Sequence, residues 1–185
     1  MRVHGFMTKT ELWNYSGRLE TEQRRYLNLR YRLLPYIYSR ASEVTFHGST
    51  LMRPLVMDFP KDDKALAQSH EYMFGPSLLV APVLEPGVTT WQVYPPVTPG
   101  GWFDWWTEKR VIGGAATSID APLEQIPLLV KAGSIIPLGA VEQYTGEDAS
   151  GALELRIYPG ADADFTTKQA NFQQFVSIGM ITCIS

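Results

Sequence analysis

The sequence predicts a mainly β protein with an N-terminal α-helical part, and three observations carry that expectation. Between Leu19 and Glu43 apolar residues recur at three- and four-residue steps. After His47-Gly48 the pattern changes to short apolar runs bounded by Pro and Gly, the rhythm of an antiparallel β-sandwich. The chain has 185 residues, 45% hydrophobic and 19% charged, so a sizeable core can be buried. It is far too short for a complete (β/α)8 barrel of roughly 250 residues.

Residues 1–17 are mixed, with Trp13 and Tyr15 among polar neighbours and Gly17 as a breaker, and predict an extended lead-in or loop. The helix that follows has one stripe through Leu27, Tyr31, Leu34, Tyr38 and Ala41. A second runs through Tyr26, Leu29, Leu33 and Ile37, which predicts burial over most of the circumference. Pro35 removes a backbone donor inside this span, so a kink costing ~3 kcal/mol is expected there. Strands are expected within 51–57, 72–74, 77–84, 91–94, 101–107, 126–132, 134–138 and 153–158, with one short helix between Lys61 and Ser69. Leu78-Leu79-Val80 is continuously apolar and suits a strand buried on both faces. Trp91-Gln92-Val93-Tyr94 and Leu153 to Ile157 alternate and suit half-buried ones. Beyond Thr166 the turn-strand rhythm is lost and no partner strand is apparent. The tail is read as a truncated or frame-altered end that leaves a sheet edge unpaired.

Several function classes drop out on composition. Sixteen Lys and Arg against nineteen Asp and Glu give a net charge of −3 without a basic run, so neither nucleic acid nor an acidic membrane surface is an expected partner. No apolar window reaches the about 18 residues of a membrane span, and Met1 to Gly5 has no signal-peptide character; the compartment stays open. Cys183 stands alone and permits no internal disulfide. His4, His47 and His70 are far apart, so no metal site is expected. Asp162-x-Asp164 lacks the Gly and distal Glu of a calcium loop, and neither a phosphate loop nor a Gly-x-Ser-x-Gly elbow is present; no cofactor is expected.

Paired carboxylates are the remaining route to chemistry, because glycoside hydrolysis uses two of them about 5–9 Å apart. Asp58, Asp62 and Asp63 cluster around Pro60, and Asp104 follows Trp102. The structural reading is preferred for each: Asp62-Asp63-Lys64 caps the short helix, and Asp58 satisfies turn amides ahead of Pro60. Trp91, Trp102, Trp105 and Trp106 raise the prospect of a sugar-stacking platform. Core packing is the expectation, with whichever of Trp105 and Trp106 faces outward as the exception.

The order of parts resembles glycoside hydrolase family 31, the α-glucosidase and α-xylosidase family, over residues 2–166. LRYRLLPYIYS (29–39) is similar to the last helix of its catalytic barrel. Met52-Arg53-Pro54-Leu55, Asp58-Phe59-Pro60, Tyr72 to Gly75, Leu78 to Val83, Trp102-Phe103-Asp104, Ile126-Pro127 and Ala132 to Pro137 are similar to successive steps of the sandwich behind it. The resemblance implies a division into residues 1–74, the end of a (β/α)8 barrel; 75–166, the proximal β-sandwich; and 167–185, an atypical tail. It implies that His4, preceded by Arg2, donates to sugar hydroxyls, with Glu11 and Trp13 as supporting residues and Leu12 where Pro is commoner. The Arg2-to-Gly5 and Glu11-to-Trp13 wording is closer to the α-xylosidase branch. The Trp-x-Asp-Met-Asn-Glu and Gly-Asp-Asn segments that supply the family's nucleophile and acid are absent from the sequence. The implied function is therefore a piece of a retaining α-glycosidase for terminal α-linked xylose or glucose, inactive alone and with no catalytic residue of its own. The other function considered is a carbohydrate-binding sandwich module without catalysis.

Overall fold

In a computed structural model describing residues 11–14, 17–145, 147, 152–160, 162–169 and 172–178, the helical part is two helices and not one. Gly17, at φ 68°, turns the chain into α1 (Arg18–Arg32), and Leu33 joins it to α2 (Leu34–His47). Hydrogen bonds pass over the joint, from Leu33 N–H to Leu29 O and from Ile37 N–H to Leu33 O, each 2.9 Å. Pro35 thus lies in the first turn of α2, where its missing N–H has no intrahelical partner to lose, and the expected mid-helix cost does not arise. Gly48, left-handed at φ 64°, ends α2, with Ser49 N–H reaching back to Glu43 O.

Burial on both sides of the helix is a second expectation that the structure corrects. In α1 only Gln23 is buried, and α2 buries Pro35, Tyr36 and Ser39 on one face. Tyr38 and Val44 are exposed on the other. The described sandwich covers one side of α2, and Tyr38, Ala41 and Val44 form an exposed stripe opposite it.

Twelve strands follow: β1 (Met52–Pro54), β2 (Tyr72–Phe74), β3 (Leu78–Val80), β4 (Thr90–Val93), β5 (Trp102–Asp104), β6 (Arg110–Val111), β7 (Thr117–Asp120), β8 (Leu128–Lys131), β9 (Ser134–Leu138), β10 (Glu154–Tyr158), β11 (Ala163–Gln169) and β12 (Phe172–Ile178). β1, β2, β3, β8, β5 and β6 form a central sheet in that order, antiparallel throughout. β4 pairs with β7, β9 with β10 and β11 with β12. Alternation along the central strands divides the interior into two cores. Leu78, Leu128 and Val130 meet Tyr36, Trp105, Ile135, Ile136, Leu138, Tyr158 and Phe165 on one face. Leu79, Leu129, Met73 and Trp102 meet Leu55, Val93, Tyr94 and Ile119 on the other. Burial on both faces is why 78–80 and 128–130 read as unbroken apolar runs.

Three further differences have local causes. The expected strand over 51–57 stops at Pro54, because Leu55–Asp58 closes one helical turn, α3, that buries Leu55 completely and returns Phe59 N–H to Leu55 O at 2.9 Å. β6 and β7 were not anticipated: β6 has two residues, and β7 buries only Ile119 of its four. The tail does have a partner, since Phe172 to Ile178 pairs in register with Gln169 to Ala163. The helix expected between Lys61 and Ser69 is α4 (Asp63–Leu66).

Candidate functional site

Arg2 and His4, the central sugar-binding candidates, lie outside the described residues. Glu11 precedes a short 3-10 turn, Leu12–Asn14, whose middle residue is Trp13. Asn14 N–H donates to Glu11 O at 3.0 Å and Asn14 Nδ2 to Glu11 Oε2 at 2.6 Å, so the carboxylate braces its own turn. Trp13 is 79% exposed.

Behind this turn the helices are fastened to the sandwich by aromatic and basic side chains. The Tyr26 hydroxyl accepts from Ile126 N–H at 2.7 Å and donates to Glu124 O at 3.1 Å. Arg25 donates to the same carbonyl at 3.2 Å, and Arg18 pairs with the Glu124 carboxylate. The Arg25 guanidinium also lies 4.8 Å from the ring centre of Trp106, and Tyr26 meets that ring edge-on at 6.1 Å. Further along, the Tyr36 hydroxyl donates to Phe74 O at 2.9 Å while its ring stacks on Phe165 at 5.9 Å, and Arg40 covers Phe165 at 4.4 Å. Burial raises the pKa of both tyrosines, so both stay protonated and able to donate.

The tryptophans are committed to this framework. Trp102 is fully buried with its indole N–H on Pro96 O at 2.7 Å, and Trp105 is buried beneath the Arg156 guanidinium. Trp106, the more exposed of the 105–106 pair, donates to Ile126 O at 2.8 Å and has Arg25 over its ring. Trp91 packs against the second core.

The carboxylates considered from the sequence also have structural partners. Asp62 caps α4, accepting from Lys64 and Ala65 N–H at 3.1 and 3.2 Å and from the Tyr94 hydroxyl at 2.8 Å. Burial works to raise it, but these bonds prevail and hold it below its ordinary value; burial and the same carboxylate push Tyr94 up to about 12. Asp104 accepts from Trp106 N–H, Thr107 N–H and the Thr107 hydroxyl at 2.7–2.9 Å, closing the turn after β5. Asp58 departs from expectation: it pairs with Arg53 instead of with turn amides. Burial raises the Asp58 pKa against the pull of Arg53 and Lys131.

Two acidic contacts escaped sequence reasoning. Glu43 lies 2.6 Å from His47 Nδ1, one helical turn apart, a spacing open to view in the sequence. Glu71 is buried beside β2; one oxygen accepts from Tyr94 N–H at 2.8 Å and the other has no partner among the described residues. Burial lifts its pKa to about 7. Nothing local in the sequence foretells a pairing across 23 residues. No group of three or more potential metal ligands occurs among the described residues.

Two family models match consecutive parts of the chain: the glycosyl hydrolases family 31 TIM-barrel domain at residues 1–40, and the family 31 C-terminal domain at residues 48–136. The chain belongs to glycoside hydrolase family 31. Within this family it is 38% identical over 165 residues to an α-xylosidase of Saccharolobus solfataricus, covering 89% of this chain and 22% of that protein. An α-glucosidase of Aspergillus oryzae is 43% identical over 123 residues, covering 64% and 12%. Among solved structures, a family 31 α-xylosidase of Xanthomonas citri superposes with a TM-score of 0.84 at 40% identity, covering 89% of this chain and 18% of that one. A Flavobacterium johnsoniae family 31 dextranase complexed with glucose superposes at 0.82 and 34% identity, covering 88% and 20%. The chain thus spans about a fifth of the length of these two enzymes and of the Saccharolobus relative.

Proposed function

We propose that this chain is the part of a retaining α-glycosidase that carries the end of the catalytic barrel on its sandwich support, acting on carbohydrate and within that class on terminal α-linked xylose or glucose. The observation carrying this is the unbroken match to the α-xylosidases across the joint between barrel and C-terminal domain, at 38–40% identity over 89% of the chain. In such an enzyme an aspartate attacks the anomeric carbon while an acid protonates the leaving oxygen, and water then releases the sugar with retention. The sequence contains neither aspartate motif, and the family resemblance gives His4 the role of positioning substrate by donating to a sugar hydroxyl, with Arg2, Glu11 and Trp13 as supporting residues. The exposed Tyr38 and Val44 are suited to meeting neighbouring barrel helices. Residues 1–74, 75–166 and 167–185 make the corresponding barrel, sandwich and tail parts; the pairing of β1 and β2 with β3 and the spans of the two family models favour drawing the first line back at Gly48.

The non-catalytic module considered from the sequence recognises carbohydrate through exposed tryptophans, and Trp102, Trp105 and Trp106 are buried or covered, which disfavours that form of it. The test is a chimera in which this chain replaces the matching segment of the Xanthomonas citri α-xylosidase. Hydrolysis of 4-nitrophenyl α-xyloside is expected from the chimera and none from the isolated chain, with His4→Ala in the chimera lowering kcat/KM about 10- to 100-fold. A folded but inactive chimera, or turnover by the isolated chain, would overturn the proposal.

A further inference from the structure

A cavity of about 370 Å³ opens on the sandwich where four connections meet the central sheet. Its lining includes Asp58 and Phe59 at the end of α3, Val97 and Pro99 between β4 and β5, Lys131 at the end of β8, and Asp162 before β11. This volume is in the range of small-molecule sites, roughly 300–1,000 Å³.

The walls define what fits. Phe59 is held by Trp102, ring centres 6.4 Å apart, and with Val97 and Pro99 it supplies an apolar wall. Lys131 is half-buried and donates no hydrogen bond among the described residues, so its ammonium is an available donor. Asp58 also lines the cavity, but its Oδ1 is engaged by Arg53 and its Oδ2 is closed off from solvent, so the exposed Asp162 is the acceptor open to a ligand. An anion attracted to Lys131 would meet two carboxylates. A metal cation attracted to those carboxylates would meet the ammonium and, behind Asp58, the Arg53 guanidinium. A neutral ligand with several hydroxyls and an apolar edge satisfies both kinds of polar group and packs its C–H surface on the wall.

The geometry points to a binding pocket on the sandwich for a neutral pyranose unit of a saccharide, with Lys131 donating to ring hydroxyls, Asp162 accepting from them, and Phe59, Val97 and Pro99 packing against the ring. The pocket's own chemistry carries this, and no hydrolytic step enters it. The test titrates the full 185-residue chain with methyl α-xyloside and methyl α-glucoside, followed by ligand-observed NMR, with inorganic phosphate and calcium chloride as the charged alternatives. Saturable millimolar binding of a glycoside is expected. Lys131→Met and Val97→Glu should each weaken it by about tenfold or more, the scale of one lost polar contact, without a change in melting temperature. Val97 is 72% exposed, so its variant tests the pocket without burdening the core. Absence of glycoside binding, binding that Val97→Glu leaves unchanged, or binding of phosphate or calcium in place of the glycosides would overturn the assignment. Because hydrolysis is not read, either result leaves the test of α-glycosidase activity independent.

Discussion

On one face of the central sheet the cover comes from distant parts of the chain: Tyr36 of α2 stacks on Phe165 of β11 and is fastened by its hydroxyl to Phe74 O. On the other face the cover is local, β4 with β7 and the turns around α3 and α4, and it encloses Trp102 and the acid Glu71. The first face is joined by neutral phenols that keep their protons beyond the ordinary tyrosine range. The second holds such a phenol too, Tyr94, and in addition a carboxyl that titrates near neutrality. The difference teaches that long-range assembly and pH sensitivity reside on opposite sides of one sheet.

The strongest way to break that contrast is Trp102→Ala, which empties the centre of the locally covered face and leaves Pro96 O without its donor. A loss of about 3–5 kcal/mol in urea denaturation is expected. The second prediction concerns pH. Folded Glu71 titrates at about 7 against 4.5 for the free side chain, so the folded protein holds this proton longer than the unfolded one. Its contribution to stability is complete below pH 4.5, declines between 4.5 and 7 by up to about 3 kcal/mol, and is level above that. Asp58 acts in the same direction. Glu71→Gln keeps an acceptor for Tyr94 N–H and should flatten this profile; a mutant whose stability still falls over that interval would assign the effect elsewhere.

Smaller changes sharpen the helix side. A Cβ at Gly75, where φ is 62°, would run into the Tyr36 hydroxyl, so Gly75→Ala should cost about 2 kcal/mol and expose the α2 contact to faster amide exchange. Arg25→Ala removes the guanidinium from Trp106 and one donor from Glu124 O. A loss of about 0.5–1 kcal/mol in thermal unfolding is expected, since both contacts lie near the surface.

Legibility in the sequence followed burial. Tyr72–Phe74, Leu78–Val80 and Ser134–Leu138 could be recognised because their apolar runs are continuous, and the Asp62 cap because its bonds reach only two and three residues ahead. β7 escaped because one buried Ile among exposed neighbours makes no run, and the break at Leu33 because a proline in a first helical turn looks the same in sequence as one in the middle. The pairing of β11 with β12 escaped because lost rhythm was read as lost structure. For the candidate site, Arg2 and His4 were named by resemblance, whereas the commitments of Glu71 and Asp58 depend on which distant groups the fold brings beside them.

β8 stands between β3 and β5, so it is the hinge on which the timing of folding turns. Leu78 pairs with Val130, and during synthesis at ~5–20 residues per second β3 waits some seconds for that partner to be made. Until then β1, β2 and β3 on one side and β5 and β6 on the other lack the strand that joins them in the folded sheet. The last strand of the central sheet to be synthesised is therefore the one that turns two unfinished ribbons into a single sheet, and a polypeptide arrested before Lys131 would be a substrate for chaperones.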